Sequence, residues 1–199
     1  RVIACDPLQR VQDHLKTGKG LLLAIPHTGN WELAGVSIPL LGVPVAVIVR
    51  RQKNLLADEY LNRMRRHTGL EVVPADSKSF AGCVRRLREG CVIAILPDLR
   101  AKARSVRVRF LGIETDVPAG MAVFAREAGV PIMPGCALRQ GWARHRWVAF
   151  DPIWPDPAAD QDADVQRMTQ AVMDVLTGII RENPEQYFWY NKRWVLGAE

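Results

Sequence analysis

The chain has 199 residues, enough to bury one sizeable core, and reads as a single domain over residues 1–199. With 48% hydrophobic and 24% charged residues and a mean hydropathy of −0.05, its composition is globular, excluding a disordered or bilayer-spanning chain. Its 27 Lys and Arg against 21 Asp and Glu leave a net charge of +6, which favours anionic partners: nucleic acid, anionic lipid or phosphorylated small molecules.

Short apolar runs alternate with amphipathic stretches. Residues 21–25 (LLLAI) read as a buried strand, followed by a turn at 26–29 and a helix through about residue 41. Residues 43–49 form a second strand and 54–67 a second helix. A short strand follows at 70–73, then a helix at 79–89 that Gly90 ends. Residues 91–96 (CVIAIL) are a continuous apolar run closed by Pro97, a strand buried on both faces. Residues 106–110 alternate Val-Arg-Val-Arg-Phe, a strand with one apolar and one basic face. Residues 118–128 read as a helix with Pro at its start and Gly129 at its end. Strands at 131–138 and 146–150 follow. Val165, Met168, Thr169, Val172, Leu176, Ile179 and Ile180 then keep helical spacing behind a cap at Asp162 or Asp164. Such strand–helix alternation predicts a single-domain α/β layered fold, with a largely parallel mixed central sheet flanked by helices. The Pro- and Asp-rich stretch 151–164 is a surface loop.

Cys5, Cys83, Cys91 and Cys136 form no C-x-x-C pair, and the runs around Cys91 and Cys136 suit buried free thiols rather than disulfides or zinc ligands. The longest nearly uncharged run, 36–49, is broken by Pro39, Gly42 and Pro44 and is too short to cross a bilayer. The sequence begins at Arg1 with neither an initiator Met nor a signal peptide, and so reads as a piece lacking an N-terminal membrane-anchoring segment.

Chemistry concentrates on PHTGNWE. In parallel α/β folds functional groups collect beyond the C-terminal strand ends, and His27 lies two residues past one. Gly29 permits close backbone approach, and Asn30 starts a helix whose free N–H groups can face an anion. On one regular helix His27 and Glu32 would point about 140° apart. With His27 on the turn and Glu32 in the first helical turn, the carboxylate can fold back onto the imidazole, orienting it and stabilising its protonated form. By themselves a turn His and a helix-start Glu are ordinary. Arg107 and Arg109 share a strand face, with Arg104 just ahead. Guanidinium groups there suit a phosphorylated ligand, or a solvated strand edge. Asp162-Ala163-Asp164 is better read as helix capping than as a metal motif. His14, His67 and His145 read as surface or loop residues, and Arg126, Arg85, Arg86 and Arg88 as structural. No nucleophile elbow, P-loop, dinucleotide fingerprint or metal-ligand spacing is present, and no cysteine lies beside a candidate base.

PHTGNWELAG resembles the His-x-x-x-x-Glu/Asp motif of the bacterial lipid A biosynthesis (HtrB-type) lysophospholipid acyltransferases and the related phosphatidylinositol mannoside acyltransferases. LPDLRAKARSVRVRFLG, VPAGMAVFAREAGVPIMPG and PEQYFWYNKRW resemble further landmarks of that family, in the family's order, from about residue 20 to residue 195. The resemblance implies a glycerolipid acyltransferase-like fold. It implies transfer of a fatty acyl group from an acyl-thioester of acyl carrier protein or CoA to a hydroxyl of a membrane glycolipid, such as a lipid A precursor. His27 would be the general base and Glu32 its orienting carboxylate. Asn30, Arg104, Arg107 and Arg109 would meet substrate, and Asp98, just past the 91–96 strand and so on the same sheet edge as His27, would be a supporting carboxylate or a substrate contact. Arg100 stands where relatives often carry Asp or Asn, and Lys102 near a family Gly, departures that bear on the acceptor headgroup. The resemblance further implies no cofactor or metal beyond the thioester co-substrate, and an anionic glycolipid and a membrane surface as partners. The location it implies is the cytoplasmic face of the bacterial inner membrane. The alternative is a non-catalytic lipid or acyl-carrier binding module of the same fold, in which the arginines matter and His27 does not. A nucleic-acid role lacks both a motif and an aromatic-interleaved basic strand.

Overall fold

A computed structural model of the chain describes residues 3–5, 8–75, 79–101 and 104–190, with side chains described from residue 8 onward. In chain order these form β1 (Ile3–Cys5), α1 (Leu8–Leu15), β2 (Leu22–Ala24), α2 (Trp31–Leu40), β3 (Val45–Val49), α3 (Leu55–His67), β4 (Glu71–Pro74), α4 (Ser79–Arg88) and β5 (Val92–Ile95). Then follow β6 (Ser105–Phe110), β7 (Ile113–Pro118), α5 (Gly120–Ala128), β8 (Ile132–Arg139), β9 (His145–Ala149), α6 (Gln161–Glu182) and a 3-10 turn at Pro184–Gln186.

Seven strands make the central sheet in the order β1-β9-β8-β2-β5-β3-β4. Every neighbouring pair is parallel except β8 with β9. The fold is therefore α/β with a mixed, mostly parallel sheet. Because strand side chains alternate, the unbroken apolar run at 21–25 feeds two cores. Leu22 and Ala24 join Leu87, Met121, Met168 and Leu176 under α4, α5 and α6. Leu21, Leu23 and Ile25 join Val11, Ala34 and Ile38 under α1 and α2.

Three elements are weak in the sequence. β1 has only three residues, and α1 (LQRVQDHL) buries only Val11. β7 (IETDVP) is interrupted by charge, and forms because β6 folds back on it through Leu111 and Gly112, whose φ of 51° and 92° suit a tight hairpin turn. The same ladder moves a predicted boundary: Pro118 pairs with Ser105 as strand, so α5 begins at Gly120 rather than at Pro118. The α6 cap is Asp160, whose side chain accepts from the backbone N–H groups of Asp162 and Ala163; neither Asp162 nor Asp164 is the cap. His145 is buried on β9, not a surface residue, because that strand lies inside the sheet between β1 and β8.

Candidate active site

β2 and β5 are parallel neighbours at the middle of the sheet, with Ala24 opposite Ile95. His27 and Asp98 each lie three residues beyond that pair, so two loops leave the same sheet edge in step. The helix after β2 packs on one face of the sheet, while α5, the first helix after β5, packs on the other. Between such diverging connections an open crevice forms.

Asp98 is fully buried and holds His27 twice. Its Oδ1 lies 2.8 Å from the imidazole Nδ1, and its Oδ2 accepts from the His27 backbone N–H at 2.8 Å. An ionised carboxylate only accepts, so Nδ1 carries the proton that it donates to Asp98, and Nε2 is the ring nitrogen left for a substrate. His27 keeps 15% side-chain exposure and meets the Trp31 ring edge-on at 5.2 Å between centroids.

Glu32 does not fold back onto His27. Its Oε1 lies 2.5 Å from Nη2 of Arg65 and its Oε2 accepts from Arg65 Nε at 3.3 Å, tying α2 to α3. The first turn of α2 carries Glu32 toward α3, whose inward face presents a buried Arg65 also bonded to Asn62. The carboxylate bonded to the imidazole is Asp98 rather than the predicted Glu32.

His27, Trp31, Glu32, Arg50, Gln52, Arg65 and Arg100 line a cavity of about 390 Å³. The rest of the lining is mostly apolar, with Val47, Ile48 and Val49 from β3, Ile95 at the end of β5 and Leu96 just after it, and Met121 and Phe124 from α5. The volume and the mix of an apolar wall with a few convergent polar groups are those of a small-molecule site.

The model of the family described as bacterial lipid A biosynthesis acyltransferase matches residues 3–195. The chain belongs to this family. Among curated proteins, a phosphatidylinositol mannoside acyltransferase of Mycolicibacterium smegmatis is 27% identical over 186 residues, covering 91% of this chain and 59% of the relative. The enzyme of the same name from Mycobacterium tuberculosis is 28% identical over 194 residues, covering 94% of this chain and 58% of the relative. The chain thus spans less than two thirds of the length of these curated relatives.

The other predicted contacts of this acyltransferase-family chain lie elsewhere. Asn30 caps α2, its side chain accepting from the Leu33 N–H. Arg104 pairs with Asp162 at 3.3 Å, and Arg107 bonds Asp116 across the β6–β7 hairpin at 2.9 and 3.0 Å. Arg107 and Arg109 sit on the exposed face of β6, while Val106, Val108 and Phe110 are buried. None of Arg104, Arg107 and Arg109 lines the cavity; its described cationic side chains are Arg50, Arg65 and Arg100. Lys102 and the Asn191–Trp194 part of the C-terminal motif lie outside the described residues.

The described part of that motif has a role the sequence did not disclose. Gln186 O accepts from the Gly29 N–H at 2.9 Å, and the Phe188 N–H donates to His27 O at 2.9 Å. Gln186 also bonds the backbone of Arg139 in both directions. The segment after α6 thereby clamps the His27 turn against β8. Gly29 is required there: its φ is +63°, and a Cβ would stand 2.1 Å from Ala137 O.

Burial pushes the Cys91 thiol up to about 11 and Cys136 up to about 12, so neither supplies a thiolate nucleophile near neutral pH. Among the described residues, no group of three or more His, Cys, Asp and Glu side chains is placed to hold a metal ion. Nor is any helix among them long and apolar enough to cross a membrane.

Proposed function

We propose that this chain is the catalytic part of an O-acyltransferase that moves a fatty acyl group from an acyl-thioester to a hydroxyl of a phosphorylated membrane glycolipid. The observation that carries the reading is the His27–Asp98 pair on the wall of a mostly apolar cavity with three arginines, in a lipid A biosynthesis acyltransferase family chain. Nε2 of His27 takes the proton of the acceptor hydroxyl as its oxygen attacks the thioester carbonyl. The C–O bond forms, the C–S bond breaks, and the departing thiolate recovers the proton from the imidazolium. Asp98 fixes the ring and offsets its transient charge. Glu32 acts through Arg65, holding the guanidinium in the cavity wall; Arg50, Arg65 and Arg100 suit an anionic headgroup. Acyl-thioester, glycolipid and bilayer are thus the expected partners. The phosphatidylinositol mannoside in the relatives' name, a lipid with a phosphodiester, supports an anionic acceptor.

The test is thiol release from an acyl-thioester, with acceptor glycolipid present, in full-length protein carrying His27→Ala. Loss of a general base lowers turnover by roughly 10²–10⁴-fold. Wild-type turnover in a folded His27→Ala protein would sink the mechanism.

A further inference from the structure

α3 has two faces with different surroundings. Asp58, Leu61, Asn62 and Arg65 face inward, and Arg65 forms part of the cavity wall. Outward, Leu56, Tyr60 and Met64 follow at four-residue spacing, which stacks them along one side of the helix. They are 84%, 54% and 48% exposed. Apolar side chains exposed singly are ordinary, whereas a continuous row on a helix marks a surface that meets something.

Charge says what it meets. Between Arg50 and His67 stand six Lys and Arg against two Asp and Glu, so this segment holds four of the chain's net six positive charges. Of the two acids, Glu59 is taken up by Arg66 at 2.9 Å, and Asp58 caps the Gln52 N–H and accepts from Asn62. The Arg63 guanidinium lies 5.9 Å from the Tyr60 ring, so a cation borders the apolar row itself. An apolar helix face edged by cations is the pattern that settles into the headgroup region of an anionic bilayer. An acidic protein surface would answer the cations but not the row of large apolar side chains.

We propose that the outward face of α3, with the basic segment 50–53 ahead of it, docks on an anionic lipid surface. Because Arg50, Gln52 and Arg65 also line the cavity, docking would place the site beside the lipid layer. That the layer also holds the acceptor rests on the acyl-transfer reading; the docking does not.

The experiment compares sedimentation with phosphatidylcholine vesicles, with and without phosphatidylglycerol, for wild type and two variants. One is Leu56→Ser, Tyr60→Ser and Met64→Ser; the other is Arg51→Gln, Lys53→Gln and Arg63→Gln, chosen outside the cavity lining. Removing three cations should weaken partition onto the anionic vesicles on the order of 100-fold, and wild-type binding should fall with added salt. The apolar variant should lose binding by at least tenfold, from about 0.8 kcal/mol per buried methylene. Circular dichroism of both variants should match wild type. As a local readout, a polarity-sensitive fluorophore on Leu56→Cys should shift to the blue on anionic vesicles. The same label on Asp174→Cys of α6, on the far side of the sheet, should not. Wild-type vesicle binding by either folded variant, or no shift at residue 56, overturns the proposal. So does a wild-type dimer that the apolar variant turns into monomer without changing vesicle binding, since the face would then join two copies. Vesicle binding is read without turnover, so its failure is separable from the failure of acyl transfer.

Discussion

Asp98 grips His27 by ring and backbone together, Oδ1 to Nδ1 and Oδ2 to the main-chain N–H, each at 2.8 Å. A carboxylate that only steadied a turn would need the backbone bond alone. The second bond fixes which imidazole nitrogen carries hydrogen and aims the other outward.

Asp98→Asn keeps the volume but can donate toward Nδ1 and favour the wrong tautomer. It should lower kcat by about 10³–10⁴-fold while leaving KM nearly unchanged, because the lost interaction strengthens in the transition state. Glu32→Gln should cost much less, since Glu32 bonds Arg65 and not the imidazole. Steady-state thiol release by the two variants decides the order; a Glu32→Gln defect larger than that of Asp98→Asn would make Glu32, not Asp98, the carboxylate on which the base depends.

Much of this was legible in the residues, and the failures have physical causes. The buried runs at 21–25 and 91–96 announced the two central strands, and the residues beyond them announced His27 and Asp98. Which carboxylate meets the imidazole was not legible. It depends on the β2–β5 register, a long-range pairing that no local spacing encodes. Glu32 went astray because its partner, Arg65, stands 33 residues away on another helix. Arg107 and Arg109 were correctly placed on one strand face, but nothing local reveals that β7 would supply Asp116 opposite Arg107, or that the hairpin would lie outside the cavity lining.

Glu32 and Arg65 should show a modest, salt-sensitive coupling. Arg65 is buried but Glu32 is half-exposed, so water screens the pair and the coupling should be about 1 kcal/mol rather than the larger value of a fully buried bridge. A double-mutant cycle with Glu32→Gln and Arg65→Gln, read by urea denaturation at low and high salt, measures it. Zero coupling at low salt would mean that the pair does not hold α2 to α3.

Gly29→Ala should be far more damaging than Gly18→Ala. Both glycines have φ in the left-handed region, +63° and +78°, so both variants pay roughly 1 kcal/mol or more for the conformation. A Cβ at Gly18 meets nothing within 4 Å, but at Gly29 it collides with a backbone carbonyl of β8. The turn must then leave Gln186 and displace His27. Thermal denaturation should show a small Tm loss for Gly18→Ala, and a large one for Gly29→Ala together with lost turnover. Equal losses would contradict the clamp.

The acid limb of stability should be set in part by Asp164, remote from the cavity. Its burial by itself would raise the carboxyl, but bonds from Arg167, then Arg126, and the Asp156 N–H outweigh it and hold the group below the ordinary Asp value. A carboxyl lowered in the folded state stabilises the fold above the unfolded value and loses that contribution as pH falls through the folded one. Its stabilisation is therefore present at neutral pH and drains away below about pH 4. Asp164→Asn leaves Arg126 and Arg167 without their anion and should cost roughly 3 kcal/mol at pH 7. As acid removes the same charge from wild type, the gap should close. Urea midpoints for both proteins from pH 7 down to pH 3 test this, and parallel curves across the range would show that Asp164 titrates alike in the folded and unfolded chains.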